Sequence, residues 1–115
     1  MNIELTEQSF ERLGQSIIEN IIDAHIKSDY DQLSLHFTDE LKSKLLPSDF
    51  EDAIKNHLGS LGKATSISYL GYLNKSDSFQ LLWKVKYEKG NEEILWQMYI
   101  TELNEAIKVD GLRFG

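Results

Sequence analysis

The sequence predicts an α+β domain in which N-terminal helices pack on one face of an antiparallel sheet of about four strands. Helical periodicity covers residues 6–62, and strand alternation covers the remainder of the 115-residue chain. In the clearest strand, residues 79–88, large apolar side chains alternate with polar ones. Helices followed by a run of strands are typical of a sheet with helices on one face. The length predicts a single domain over residues 1–115.

The first element is a long amphipathic helix that extends to about residue 27. Thr6 is a suitable N-cap, and Glu7 lies favourably in the first turn. The apolar residues then recur at spacings of three and four, which is typical of a helix with one broad apolar face. These residues are Phe10, Leu13, Ile17, Ile21 and Ala24.

Shorter helices follow. Ser28 or Asp29 is expected to cap a short second helix, and Thr38 begins a further turn that ends before Pro47. Residues 48–51 (SDFE) have the spacing of a capping box, which predicts the start of a third amphipathic helix. The apolar pattern of this helix continues to about residue 61.

Four strands are expected in the second half, at about residues 63–73, 79–88, 93–103 and 106–114. Residues 89–91 (KGN) predict a tight hairpin, because Gly and Asn tolerate positive φ.

The third strand is apolar on both faces. One face carries Ile94, Trp96, Met98 and Ile100. The other carries Leu95, Gln97, Tyr99 and Leu103. Since the helices cover only one side of the sheet, we expect a second copy of the chain to cover the other side, with the first set as the dimer face. The alternative is a central strand whose outer residues stay partly exposed under long neighbouring side chains.

Composition excludes several classes of function. A net charge of −7 and the absence of a Lys/Arg stripe argue against nucleic acid and anionic membranes as partners. The chain has no cysteine, so neither a disulfide nor a thiolate metal site can form. No apolar run is long enough to cross a bilayer, and the N-terminus does not resemble a signal peptide, so we expect a cytoplasmic protein.

Four segments together resemble the NTF2-like superfamily, also known as the SnoaL or ketosteroid-isomerase-like fold. Residues 26–33 (IKSDYDQL) and 37–39 (FTD) are similar to the family's helix cap, short helix and Phe-acid cluster. Residues 87–90 (YEKG) and 111–115 (GLRFG) are similar to its central hairpin and closing strand. The order and spacing of these segments carry the resemblance, which extends over nearly the whole chain.

The resemblance implies a curved sheet wrapped around the first helix, with a conical pocket between them. The family includes isomerases, dehydratases and cyclases as well as non-catalytic binding modules, so the fold does not decide function. The hydroxyl donor of the steroid isomerases would fall at Ile21, and the segment at residues 41–47 has no acid in place of their general base. A later acid of these enzymes would fall near Gln97 or Tyr99. The chain is therefore more similar to the members that lack the catalytic hairpin.

Among the three histidines, His25 is the candidate for a catalytic role. It lies at the end of the first helix, four residues before Asp29, and could form a His–Asp pair that fixes the imidazole tautomer. A histidine near a helix C-terminus is also stabilised by the helix dipole, so a purely structural role is the competing interpretation. No spacing of histidines or carboxylates predicts a metal site, and we expect no cofactor.

The candidate pocket residues combine apolar bulk with polar atoms, as small-molecule sites do. They are Ile21, Tyr69, Trp83, Gln97 and Tyr99. The same aromatic residues could instead fill the core between helix and sheet. A shift of one residue in the third strand would exchange Gln97 and Tyr99 for Trp96 and Met98.

These observations favour a non-catalytic homodimeric module that binds a small apolar molecule or a protein partner. One alternative is a divergent isomerase, dehydratase or hydrolase in which His25, or an acid at residues 39–40, serves as the base. A second alternative is a structural or regulatory accessory module whose cavity is filled by side chains.

Overall fold

The computed structural model describes residues 7–76, 78–104 and 106–115. It confirms the α+β class: helices come first, and a four-stranded antiparallel sheet that does not close into a barrel follows. The helices are α1 (Glu7–Lys27), α2 (Tyr30–Leu33), α3 (Asp39–Lys44) and α4 (Pro47–Ala53). One turn of 3₁₀ helix, Ser34–His36, follows α2. A π-helical segment, Ile54–Leu58, and a 3₁₀ turn, Gly59–Leu61, extend α4. The strands are β1 (Ala64–Asn74), β2 (Phe79–Tyr87), β3 (Ile94–Leu103) and β4 (Ala106–Phe114).

Side-chain caps determine where the short helices begin. Asp29 Oδ1 accepts from the Gln32 amide at the start of α2, at 3.1 Å. Thr38 Oγ1 accepts from the Leu41 amide at the start of α3, at 3.2 Å, as the sequence predicted for Thr38. Each bond satisfies one of the amides that a first helical turn leaves without an intrahelical acceptor. The predicted Thr6 cap of α1 lies outside the described residues.

The predicted capping box at residues 48–51 is wrong. Helix α4 begins two residues earlier, with Pro47 in its first turn and Leu46 at the N-cap position. Asp49 Oδ2 accepts from the Leu46 amide at 2.8 Å. Proline is favoured in a first turn because its φ is already helical and its missing N–H would have had no intrahelical acceptor. Pro47 therefore starts a helix here as well as ending the preceding one.

The four strands form a simple meander in the order β1-β2-β3-β4. Three bulges interrupt the ladders of the described strands, at Thr65 and Leu70 in β1 and at Asp110 in β4. Bulges bend a strand and increase its twist. A short parallel bridge joins Phe37 to Val109, so the segment before α3 is attached to β4.

All the helices pack against the same face of the sheet. Their buried residues form one core with the inward-facing residues of β2, β3 and β4. The helices contribute Phe10, Ile17, Ile18, Ile21, Ile22, Ala24, Leu33, Leu41, Phe50 and Leu58. The strands contribute Leu81, Trp83, Val85, Trp96, Met98, Ile100 and Val109. Within the described part of the chain, no helix has the length and apolarity that a bilayer-spanning helix needs.

The predicted orientation of β3 is wrong. Trp96, Met98 and Ile100, expected on the dimer face, are fully buried against the helices of their own chain. Ile94 is half-buried and packs against the same core. The cause is the register with β2, which pairs Trp96 with Trp83 and Met98 with Leu81, and so places them on the face that α1 covers.

The opposite face of the sheet, which we call the outer face, carries the other set of β3 residues. Leu95, Gln97 and Tyr99 lie there, and all three are half-buried within the chain. Gln80 is buried beside them, and its Nε2 donates to Gln97 Oε1 at 2.5 Å. The amide pair satisfies two polar groups that burial would otherwise penalise.

Candidate functional site

None of the five predicted pocket residues lines the most enclosed cleft of the described structure. Ile21 and Trp83 are fully buried in the core. Gln97 and Tyr99 lie on the outer face, on the side away from α1. Tyr69 packs against Trp83, with ring centroids 5.5 Å apart, and borders an open depression beside α1. The structure therefore separates these five residues.

Trp83 is a core residue whose polar atom is fully used. Its Nε1 donates to Gln15 Oε1 at 2.9 Å, and the Gln15 amide nitrogen donates to the Ile67 carbonyl at 3.4 Å. Gln15 thus links α1 to both β1 and β2. This arrangement agrees with the alternative to a pocket role for Trp83, namely that it fills the core between helix and sheet.

One cleft lies at one end of the sheet, where α1, the π-helical segment and the end of β2 meet. It has a volume of about 390 Å³. We call it the end cleft. Its lining residues are Ile22, His25, Ile26, Ser28, Ile54, Leu58, Gly59, Gly62, Lys63, Tyr87 and Glu88. Apolar side chains from two helical segments form much of the wall, while His25, Ser28, Lys63, Tyr87 and Glu88 supply polar groups.

The backbone of one wall is unusual. The residues between Ile54 and Leu58 adopt a π-helical turn, which is rare and frequently found at functional sites. The π turn widens the helix, and a Cβ at Gly59 would come within 2.6 Å of the Ile54 carbonyl oxygen. Gly62, at φ +77°, has a conformation that side chains disfavour. Both glycines are therefore required by the path of the chain around the cleft.

His25 is held in one orientation at the base of this cleft. Its Nδ1 lies 2.8 Å from the carbonyl oxygen of Ile21, one helical turn earlier. The ring makes edge contacts with Phe50 and Trp96, at centroid distances of 4.9 and 5.3 Å. Burial lowers the pKa of His25, although the hydrogen bond to Ile21 acts in the opposite direction. The neutral imidazole is the form that the fold favours.

The predicted His25–Asp29 pair does not form. The carboxylate of Asp29 caps α2, and the ring nitrogen of His25 is bonded to the backbone of α1 instead. The i, i+4 spacing would bring the two together only within one continuous helix. The helix ends at Lys27, and Ser28 has a positive φ of 56°, so Asp29 is turned away from the face of His25.

Tyr87 is the functional candidate that sequence reasoning missed. Its hydroxyl oxygen accepts a hydrogen bond from Trp96 Nε1 at 3.0 Å, and burial raises the pKa of the phenol. The same Trp96 ring contacts His25, so the indole positions both polar residues of the cleft. The sequence feature that could have identified Tyr87 is its position at the end of the most regular strand, on the same face as Trp83.

Two further depressions are less enclosed. One lies between α1 and β1 and is lined by charged residues, including Glu11, Arg12 and Glu19. The other is an apolar groove beside the start of β3 and the end of β4, where the ring centroids of His57 and Phe114 are 6.0 Å apart. Among the described residues, no group of three or more histidine and carboxylate side chains is arranged to hold a metal ion.

No model of a known protein family matches this chain, and comparison with curated proteins finds no match either. The resemblance to the NTF2-like superfamily therefore stays a prediction. Function is therefore inferred from the geometry of the end cleft.

Proposed function

We propose that this chain is a non-catalytic binding module of the NTF2-like type, and that the end cleft holds a small, mostly apolar molecule. The observation that carries the proposal is the cleft itself, about 390 Å³ in volume and walled by Ile22, Ile26, Ile54 and Leu58. Concave sites with apolar walls and a few polar groups are the usual form of small-molecule sites. A long helix packed on a four-stranded sheet, with a cleft at one end, agrees with the arrangement that the resemblance implies.

The hydrogen bonds around His25 favour binding over catalysis. A histidine that activates a nucleophile is hydrogen-bonded to it, and in a catalytic triad a carboxylate orients the imidazole ring. In the described part of the chain, the hydrogen-bond partner of His25 is a backbone carbonyl. The cleft thus has a polar anchor, but its described residues do not form the linked set of groups that proton transfer or nucleophilic attack would use.

Native mass spectrometry of the protein as purified tests the binding proposal. We expect an adduct of a few hundred daltons that remains bound under gentle ionisation. The variant Ile26→Trp should lose the adduct, because Ile26 is 44% exposed and its enlarged side chain would occupy the cleft. Leu35→Trp is the matched control, since Leu35 is 61% exposed and does not line the cleft. An adduct that both variants retain would contradict the proposal.

We further propose that two copies associate through the outer face. This face carries Leu82, Leu95 and Tyr99 in its centre, with the exposed Leu73 and Leu70 at the β1 edge. The large buried apolar residues of the described helices belong to the core on the opposite face. At one end of the outer face Lys84 lies 3.3 Å from Glu93, so the face has both signs of charge and can pair with itself across a two-fold axis.

Light scattering after size-exclusion chromatography tests this association. We expect twice the chain mass of 13.3 kDa for the wild type. The double variant Leu70→Lys/Leu73→Lys should have the mass of one chain, because it places two cations in the apolar contact. Leu35→Lys, which changes a leucine at least as exposed as Leu70 and Leu73 but outside this face, should remain a dimer. A wild-type protein of single-chain mass would refute the association and leave the ligand proposal unaffected.

A further inference from the structure

The tautomer of His25 follows from its hydrogen bond. A carbonyl oxygen can only accept, so the Nδ1 atom 2.8 Å from the Ile21 oxygen must carry the proton. In the neutral ring, Nε2 then has a lone pair and acts as an acceptor. No described residue is a hydrogen-bond partner of this second nitrogen. Because His25 lines the end cleft, the acceptor is available to a molecule bound there.

The orientation of the ring is fixed before any ligand arrives. Phe50 and Trp96 contact its edges from α4 and β3, and the backbone bond to Ile21 holds its other side. A preorganised acceptor does not have to lose rotational freedom on binding, which favours affinity.

Tyr87 presents the complementary group. Its oxygen accepts from Trp96 Nε1, so its own O–H proton is not used in that bond and can be donated to a ligand. Tyr87 lines the same cleft as His25, and both contact the Trp96 indole. The cleft therefore has one acceptor and one donor on an otherwise largely apolar wall.

We infer that the ligand of the end cleft is a neutral apolar molecule bearing a hydroxyl group, an alcohol or a phenol, which donates to His25 Nε2 and accepts from Tyr87. This inference rests on the proposed function. A hydroxyl is both a donor and an acceptor, and so it complements both groups. A carboxylate has no proton for Nε2. Glu88 in the lining and the net charge of −7 also disfavour an anion, and Lys63 is the single cationic side chain among the described lining residues.

Three matched probes separate the effects of the hydroxyl group, the apolar body and a negative charge on binding: 4-butylphenol, butylbenzene and 4-butylbenzoate. Each is titrated into the full chain at pH 7.5, and binding is followed by chemical-shift changes. We expect 4-butylphenol to bind at least about fivefold more tightly than butylbenzene, as one or two buried hydrogen bonds provide. The benzoate should bind more weakly than the phenol.

Two variants test whether the preference for 4-butylphenol over butylbenzene depends on His25. His25→Phe keeps an aromatic ring against Phe50 and Trp96 but removes the acceptor, so the preference for the phenol should shrink several-fold. His57→Phe makes the same exchange in the groove beside Phe114 and should leave the preference unchanged. Far-UV circular dichroism checks that both variants fold.

A measurement on the unmodified protein keeps the inference testable if His25→Phe does not fold. Two-bond ¹H–¹⁵N correlation of the imidazoles reports the tautomer of His25 directly. We expect the Nδ1–H form in the free protein and a shift of Nε2 when 4-butylphenol binds. An Nε2–H tautomer would overturn the inference.

The failure of this inference differs from the failure of the proposed function. Equal binding of phenol and butylbenzene in the end cleft would refute the hydroxyl preference while supporting the apolar site. Tighter binding of the benzoate would refute it in favour of anion recognition. If no probe perturbs residues of the end cleft, both the inference and the proposed function are wrong.

Discussion

Replacing Gly14 by Ala should destabilise this protein, although the same change stabilises most helices. Gly14 is buried in the middle of α1, directly above Trp83. A Cβ at this position would lie 2.8 Å from Cη2 and 2.9 Å from Cζ2 of the Trp83 ring. Both distances are shorter than the contact distance of two carbon atoms, so either the helix or the indole must move.

The expected magnitude is the difference between two opposing effects. Alanine is favoured over glycine within a helix by about 1 kcal/mol. Overpacking a well-filled core costs about 1–3 kcal/mol. Trp83 cannot rotate away easily, because it is fully buried and its Nε1 is bonded to Gln15. We therefore expect Gly14→Ala to lower the free energy of unfolding by about 1 kcal/mol.

Urea denaturation followed by far-UV circular dichroism measures this change, and comparison of the slopes checks that unfolding stays two-state. Ser16→Ala is the control, since Ser16 is exposed on the same helix and should gain up to about 0.5 kcal/mol from propensity alone. In a Trp83→Phe background the two ring atoms that a Cβ at Gly14 would contact, Cη2 and Cζ2, are absent. There, Gly14→Ala should become stabilising, by about 1 kcal/mol.

The decisive result is that Gly14→Ala changes from destabilising to stabilising when Trp83 is replaced by Phe. If Gly14→Ala stabilises the protein with Trp83 intact, then α1 does not pack on β2 as closely as the structure has it. If the substitution is destabilising in both backgrounds, the cost comes from something other than Trp83, and the coupling between the two residues is absent.

Three further predictions concern polar groups. Thr38→Ala removes the cap of α3 and the 2.8 Å bond to Asp110 Oδ1, so it should cost about 1–2 kcal/mol in urea denaturation; a loss below about 0.5 kcal/mol would contradict this. The pKa of His25 is lowered in the folded protein, so below about pH 6.5 the unfolded chain binds a proton at this site more readily than the folded protein does. The free energy of unfolding should therefore decrease as the pH falls below about 6.5, by at most about 1.4 kcal/mol per pH unit for this site. His25→Phe, in which the other histidines are retained, should flatten that dependence, and an unchanged profile would exclude His25 as its source. Gln80→Leu should destabilise by about 1 kcal/mol because it leaves the Gln97 amide without its partner, whereas the double change Gln80→Leu/Gln97→Leu should recover most of the loss; equal stability of the single and double variants would contradict the pairing.

The elements of this fold could be predicted well from periodicity. The predicted strands agree with β1 to β4 to within a residue or two, because alternation with period two depends only on local sequence. The start of α4 was misplaced, since residues 48–51 match a capping box as well as residues 46–49 match the actual start. When two capping signals lie only two residues apart, the packing of the helix determines which of them is used. A local sequence pattern does not contain that information.

The candidate site was predicted less well, and the reason differs from residue to residue. His25, which was singled out as a candidate catalytic residue, lines the end cleft, but its pairing with Asp29 depended on where α1 ends and on the positive φ of Ser28. Tyr87 was overlooked because its importance arises from Trp96, which is nine residues away in sequence and adjacent only across a hairpin.

The sequence by itself determined the α+β class, the positions of the four strands and the presence of two apolar surfaces on β3, because these follow from the spacing of apolar residues. Only the tertiary structure decided which surface faces the helices. Both faces of β3 are apolar, so hydrophobicity does not distinguish them. The register with β2 does, because it places Trp96 and Met98 on the face of the sheet that Trp83 and Leu81 share with α1.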